Sequence, residues 1–166
     1  MRIIIEGVDG SGKSTIVSQL AKKYKLDSVH VTSKDPNTYE FYRALMMKND
    51  LVTDRDFMGE MIWPVIFNRK GNLNLKKFES LVELAKEYDA RIIVLSAPIS
   101  TLEKRLKARG NELPVTLENL QKIDDMFRYY AGIAEVPVVN TEEMSFDDFC
   151  KLYIEDKKYV MTKEEK

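Results

Sequence analysis

The sequence predicts an α/β fold on a five-stranded parallel sheet with helices on both faces. Three observations carry this. Strand-like apolar runs alternate with amphipathic helical stretches along the chain. Arg2-Ile3-Ile4-Ile5-Glu6 and Arg91 to Leu95 lack the polar alternation of a half-exposed strand, as strands buried on both faces do. The first of them runs straight into a glycine-rich turn that opens a helix.

The helix after that turn is expected from Lys13 to about Tyr24, with Ile16, Val17, Leu20 and Ala21 on one face. Ser28 to Thr32 reads as the second strand and Tyr39 to Met47 as a helix. Leu51-Val52-Thr53 reads as a short third strand ending at Asp54-Arg55. Phe57 to Phe67 is apolar and expected to be helical, kinked at Pro64. Gly71, Asn72 and Asn74 mark a loop. Leu75 to Tyr88 places Phe78, Leu81, Val82 and Ala85 on one helical face. The fourth strand closes at Pro98. Ser100 with Glu103 forms an expected capping box for a helix that stops at Gly110. Leu117 to Ala134 is expected as a helix, Val136 to Val139 as the fifth strand and Ser145 to Tyr153 as the last helix. One domain over 1–155 is expected, with a charged tail over 156–166.

With 44% apolar and 32% charged residues, the composition is that of a globular chain. Lys plus Arg is 26 and Asp plus Glu is 27, a net charge of -1. That balance predicts no DNA binding and no attraction to a membrane. No apolar run approaches the roughly 18 residues that span a bilayer, and no leader is evident, so a cytoplasmic location is expected. The single cysteine, Cys150, forms no internal disulfide and is expected to pack on the last helix. His30, the only histidine, reads as structural, and a zinc site is not expected.

Gly7-Val8-Asp9-Gly10-Ser11-Gly12-Lys13-Ser14 satisfies every fixed position of the Walker A pattern, between a buried strand and a helix. Gly7, Gly10 and Gly12 let the backbone curl so that N–H groups, that of Ser11 among them, point at phosphate oxygens. Lys13 supplies a point charge to the β- and γ-phosphates, the Ser14 hydroxyl suits Mg²⁺, and Thr15 suits the α-phosphate. ATP with Mg²⁺ is the expected ligand. An Asn-Lys-x-Asp guanine reader is absent, as is a Leu-Ser-Gly-Gly element; this argues against a GTPase and a transporter-type ATPase. Small-molecule kinases remain.

Ile5 to Thr15 closely resembles the opening of thymidylate kinases, and deoxynucleoside kinases share its Glu-Gly start. Thr32-Ser33-Lys34-Asp35-Pro36, Asp54-Arg55 and Arg105-Leu106-Lys107-Ala108-Arg109-Gly110 resemble, in order, the families' loop after the second strand, the acidic-Arg pair and the arginine-rich lid. Gly59 to Val65 resembles phage-encoded members. Asp35 and Lys34 replace the usual Glu and Arg, and Asp56 stands where an aromatic or Ser is usual. The resemblance implies a P-loop kinase fold, a lid over about 105–115, transfer of the ATP γ-phosphate to a deoxynucleoside monophosphate, and often a homodimer.

Phosphoryl transfer needs several cations around one cleft. Lys13, Arg55, Arg105 and Arg109 are the candidates. Arg55 clamps an acceptor phosphate or pairs with Asp54 or Asp56. Arg105 and Arg109 form a lid face or a solvated helix end. The resemblance implies that Asp9 works near the acceptor sugar and phosphate; otherwise it braces its own loop. Asp35 is the general base if the acceptor is a nucleoside 5′-OH, or simply a turn residue. Asp54 holds Mg²⁺ through water or partners Arg55. Phe41 and Trp63, with Tyr42, Phe57 and Phe67, line a base pocket or belong to the core. Asn140, after the fifth strand, is a candidate contact for the donor adenine. A nucleotide-binding module without catalysis is the reading of another class.

Overall fold

The computed structural model describes residues 1–110 and 114–161. Five strands, β1 (Arg2–Gly7), β2 (Asp27–His30), β3 (Leu51–Asp54), β4 (Arg91–Ser96) and β5 (Val138–Asn140), form one sheet in the order β2-β3-β1-β4-β5. Every pairing is parallel. The predicted α/β class is therefore the observed one. The register places His30 opposite Asp54, Gly7 opposite Leu95 and Ser96 opposite Asn140, so the motif residues line one carboxyl edge. Ligands of open α/β sheets bind beyond that edge.

Alternation along β1 feeds two cores. Ile4 points to a core with Tyr42, Phe57, Phe78, Leu81 and Phe127. Those residues come in part from α2 (Tyr39–Met46), α4 (Leu75–Glu87) and α7 (Leu120–Ala134). Ile3 and Ile5 point to the opposite core, with Val17 and Leu20 of α1 (Lys13–Tyr24) and with Phe149, Cys150 and Ile154 near the C-terminus. Both faces are thus covered, as an all-parallel sheet requires.

Several boundaries differ from the sequence reading. Phe57 to Phe67 is not one helix. A 3-10 turn, Gly59–Met61, leads into a single-turn helix α3 (Trp63–Ile66). Pro64 sits in that first turn, where its missing N–H costs nothing, rather than at a kink. Ser100 does not cap α5 (Ile99–Arg109). Pro98 takes that place, its carbonyl accepting the Thr101 and Leu102 N–H groups, and Glu103 pairs with Lys107 instead. Gly110 ends α5 in the left-handed conformation, as expected. The helix expected over 117–134 is two pieces, α6 (Pro114–Glu118) and α7, which breaks at Asn119. Ser145 caps α8 (Phe146–Phe149), which continues as a π-helix over Cys150–Glu155. Beyond it, Met161 N–H donates to the Ala90 carbonyl at 2.9 Å and the side chain packs against the first core. No helix among the described residues is long and apolar enough to cross a membrane.

Candidate active site at the carboxyl edge

The phosphate loop is fixed by close packing. Gly7 ends β1 at φ 133°, and a Cβ there would lie 2.1 Å from the Leu95 carbonyl oxygen. Only glycine lets β1 turn so close to β4. Gly12 at φ 92° turns the chain into α1, so the helix N-terminus faces the loop. Lys13 is nearly buried. Its Nζ donates to the Val8 carbonyl at 3.0 Å and lies 3.6 Å from Asp9 Oδ1. Burial lowers its pKa, against the attraction of Asp9.

A cavity of about 630 Å³ opens beside this loop. Lys13, Asp9 and Ser14 form its floor. Asp54 and Arg55 enter from the end of β3, His30 and Ser33 from the end of β2, and Trp63, Phe67 and Arg69 from the segment around α3. Leu106, Arg109 and Thr116 complete the lining.

The charges inside are paired across elements. Arg55 Nη2 donates to Asp9 Oδ1 at 2.6 Å, and its guanidinium lies 5.4 Å from the centre of the Trp63 ring. Burial alone would raise the pKa of Asp9, but Lys13 and Arg55 outweigh it and hold the carboxyl below its usual range. Arg55 has φ 67°, and its N–H donates to the Ile5 carbonyl at 2.9 Å. Arg69 faces the cavity with both terminal nitrogens on buried Glu60, at 3.3 and 3.2 Å. The sequence reading did not single out Arg69 or Thr116, and it took His30 as structural. His30 is half exposed, with Nδ1 3.1 Å from Asp54 Oδ2. The strand-end position of His30 was the available signal; Arg69, in an irregular loop, offered none.

Arg105 is tied to the phosphate loop itself. Its Nη1 lies 3.1 Å from both the Gly10 carbonyl and Thr141 Oγ1, and Thr141 Oγ1 in turn donates to the Ser11 carbonyl at 2.8 Å. Arg109, one turn on, lines the cavity. Residues 111–113 of the expected lid lie outside the described residues. Asp35, Phe41 and Asn140 are not among the cavity's lining residues. Asp35 Oδ2 accepts the Thr32 N–H at 2.7 Å, Phe41 packs edge-on against Tyr42, and Asn140 Oδ1 accepts the Glu142 N–H at 3.0 Å. Tyr42 and Phe57 are core residues.

The donor set for a divalent cation is oxygen only. Ser14 Oγ donates to Asp54 Oδ2 at 2.6 Å, and Asp54 Oδ1 is buried with no hydrogen-bond partner. No cluster of three or more His, Cys, Asp or Glu suited to a metal occurs among the described residues. A hydroxyl and a single carboxylate fit Mg²⁺, which shares its coordination with phosphates and water.

No family model matches the chain. A protein of Sulfurisphaera tokodaii named "Putative adenylate kinase" is 30% identical over 147 residues, spanning 84% of this chain and 75% of that protein. This chain belongs to the P-loop nucleotide kinase family. The SPbeta prophage-derived protein YorR of Bacillus subtilis is 24% identical over 157 residues, 90% of this kinase and 94% of YorR. The crystal structure of YorR in complex with phosphorylated GDP superposes with a TM-score of 0.78 at 23% identity, over 91% of this kinase and 92% of that chain. Deoxyadenosine kinase from M. mycoides with bound dATP gives 0.56 at 17%, over 92% and 96%. Thymidylate kinase from Candida albicans gives 0.57 at 16%, over 90% and 87%. These structural likenesses are of fold alone, and they do not single out the thymidylate kinases.

Proposed function

We propose that this kinase transfers the γ-phosphate of ATP to a nucleoside monophosphate, and to a deoxynucleoside monophosphate in particular. One observation carries the choice of acceptor. The acceptor wall of the cavity presents cations, Arg55 and Arg69, beside the aromatic rings of Trp63 and Phe67. A nucleoside 5′-OH needs a base, whereas a monophosphate needs charge neutralisation. Asp35, the candidate base, is engaged by Thr32 and lies outside the lining.

In this reading the loop N–H groups and Lys13 bind the donor phosphates. Ser14 and Asp54 would hold Mg²⁺, which neutralises phosphate charge when bound. Arg55 holds the acceptor phosphate, with Asp9 fixing its guanidinium. Arg109 supplies further positive charge, and Trp63 stacks on the base. The name of the 30% identical relative makes AMP an acceptor to include.

The test is ATP consumption with Mg²⁺ against AMP, the four dNMPs, dUMP and the matching nucleosides. Turnover with a monophosphate supports the reading. Turnover confined to nucleosides overturns the acceptor assignment and returns Asp35 to consideration as base.

A further inference from the structure

We propose that Glu6, Asp56 and Arg2 form a buried positioning unit that holds the Arg55–Trp63 wall of the cleft in its binding geometry. The wall residues flank the segment 56–59. Three backbone N–H groups of that segment, from Asp56, Met58 and Gly59, converge on one oxygen, Glu6 Oε1, at 3.0, 2.9 and 3.4 Å. The Asp56 carboxylate anchors the segment a second time. Its Oδ2 accepts from Arg2 Nη2 at 2.6 Å and Thr53 Oγ1 at 2.9 Å, and its Oδ1 accepts the Phe57 N–H at 2.9 Å.

All three ionisable side chains are almost fully enclosed: Arg2 is 2%, Glu6 0% and Asp56 2% exposed. Apolar residues of similar volume would serve a sheet as well, since burying an ion pair costs desolvation. What the hydrogen bonds of these polar side chains add is direction. Arg55, immediately before the anchored segment, has φ 67°, a left-handed backbone that a bulky side chain disfavours. Such a conformation persists where its surroundings over-determine it. The Arg55 N–H is held by Ile5 of β1, and the next N–H by Glu6 of the same strand. At the other end, a Cβ on Gly59 would lie 3.1 Å from Trp63 Nε1 and 3.8 Å from Glu6 Oε2. Glu6, Gly59 and the indole therefore pack as one block. Burial, and then Asp56, raise the Glu6 pKa to about 8, so near neutral pH this carboxyl is mostly neutral and serves as an acceptor for the N–H groups.

The unit predicts which substitutions matter. Glu6→Gln keeps the accepting oxygen; Glu6→Ala removes it. The double substitution Arg2→Met with Asp56→Leu removes the ion pair together and leaves no charge stranded. Trp63 is the chain's only tryptophan, so its fluorescence reports this wall directly. The experiment measures acrylamide quenching of Trp63, thermal unfolding, and KM for ATP and for the best monophosphate acceptor. In Glu6→Ala and the double variant, quenching rises and acceptor KM increases about tenfold while ATP KM stays within about twofold. Glu6→Gln stays near wild type in both. The KM arm rests on the proposed function; the quenching arm does not, and it decides the matter if no acceptor reacts. Unchanged quenching in a folded Glu6→Ala or double variant overturns the proposal. So does a Gln variant as impaired as the Ala variant, or an equal rise in both KM values.

Discussion

Arg55 reaches Asp9 Oδ1 at 2.6 Å, so the acid inside the phosphate loop and the cation after β3 form one ion pair across the cleft. Asp9 is also 3.6 Å from Lys13. It therefore spaces two cations that would otherwise repel. Asp9→Asn keeps the shape and removes the charge. The expected outcome is a fall of about 10- to 100-fold in kcat/KM for the acceptor, with ATP affinity unchanged or higher, read by steady-state kinetics on each substrate.

Asp54 accepts from Ser14 with one oxygen and leaves the other buried and unpaired. If this pair holds Mg²⁺, Asp54→Asn raises the Mg²⁺ concentration for half-maximal rate about tenfold or more. Nucleotide binding in EDTA, followed by calorimetry, should barely change. Equal losses with and without Mg²⁺ would assign Asp54 to the protein frame instead.

The two arginines of α5 should separate. Arg105 braces Gly10 and Thr141, whereas Arg109 lines the cavity. Arg105→Ala is expected to cost about 1–3 kcal/mol of stability by stripping partners from the loop, and to weaken ATP binding. Arg109→Ala is expected to leave unfolding unchanged and to lower kcat. Thermal melts and kinetics on the two variants check this.

Much of this arrangement was legible in the sequence. The strands β1 and β4 and the helices α1 and α4 follow from uninterrupted apolar runs and from helical periodicity. Lys13, Ser14, Asp54 and Arg55 follow from the loop spacing and from strand ends. What was not legible depends on contacts between distant segments. The sequence marked Arg105 and Arg109 alike; only the fold places Thr141 and Gly10 against the first and the cavity against the second. Arg69 is oriented by Glu60 nine positions away, across a 3-10 turn and a single-turn helix too short to show a period. Asp56 read as a departure from a family pattern or as a partner for Arg55; the fold pairs it with Arg2 at the start of β1 instead, and Arg55 with Asp9.

Glu6 gives the fold a pH dependence of known sign. Its pKa rises from 4.5 to about 8 on folding, through burial first and Asp56 second, opposed by the Met58 and Gly59 N–H groups and by Lys13. The native state holds more protons than the unfolded chain between those values. This group's contribution is therefore full below about pH 4.5, is lost as pH rises towards 8, and changes little above. Urea midpoints from pH 5 to 8.5 should fall for the wild type and flatten in Glu6→Gln.

The most direct test of the account is a single-turnover reaction with ATP labelled in the γ-phosphate, Mg²⁺ and a mixture of nucleoside monophosphates, comparing the wild type with Lys13→Ala. The account predicts label in a nucleoside diphosphate with the wild type and a loss of at least about 100-fold in Lys13→Ala. Label that stays on ATP bound to the wild type, or transfer undiminished in the variant, would contradict it.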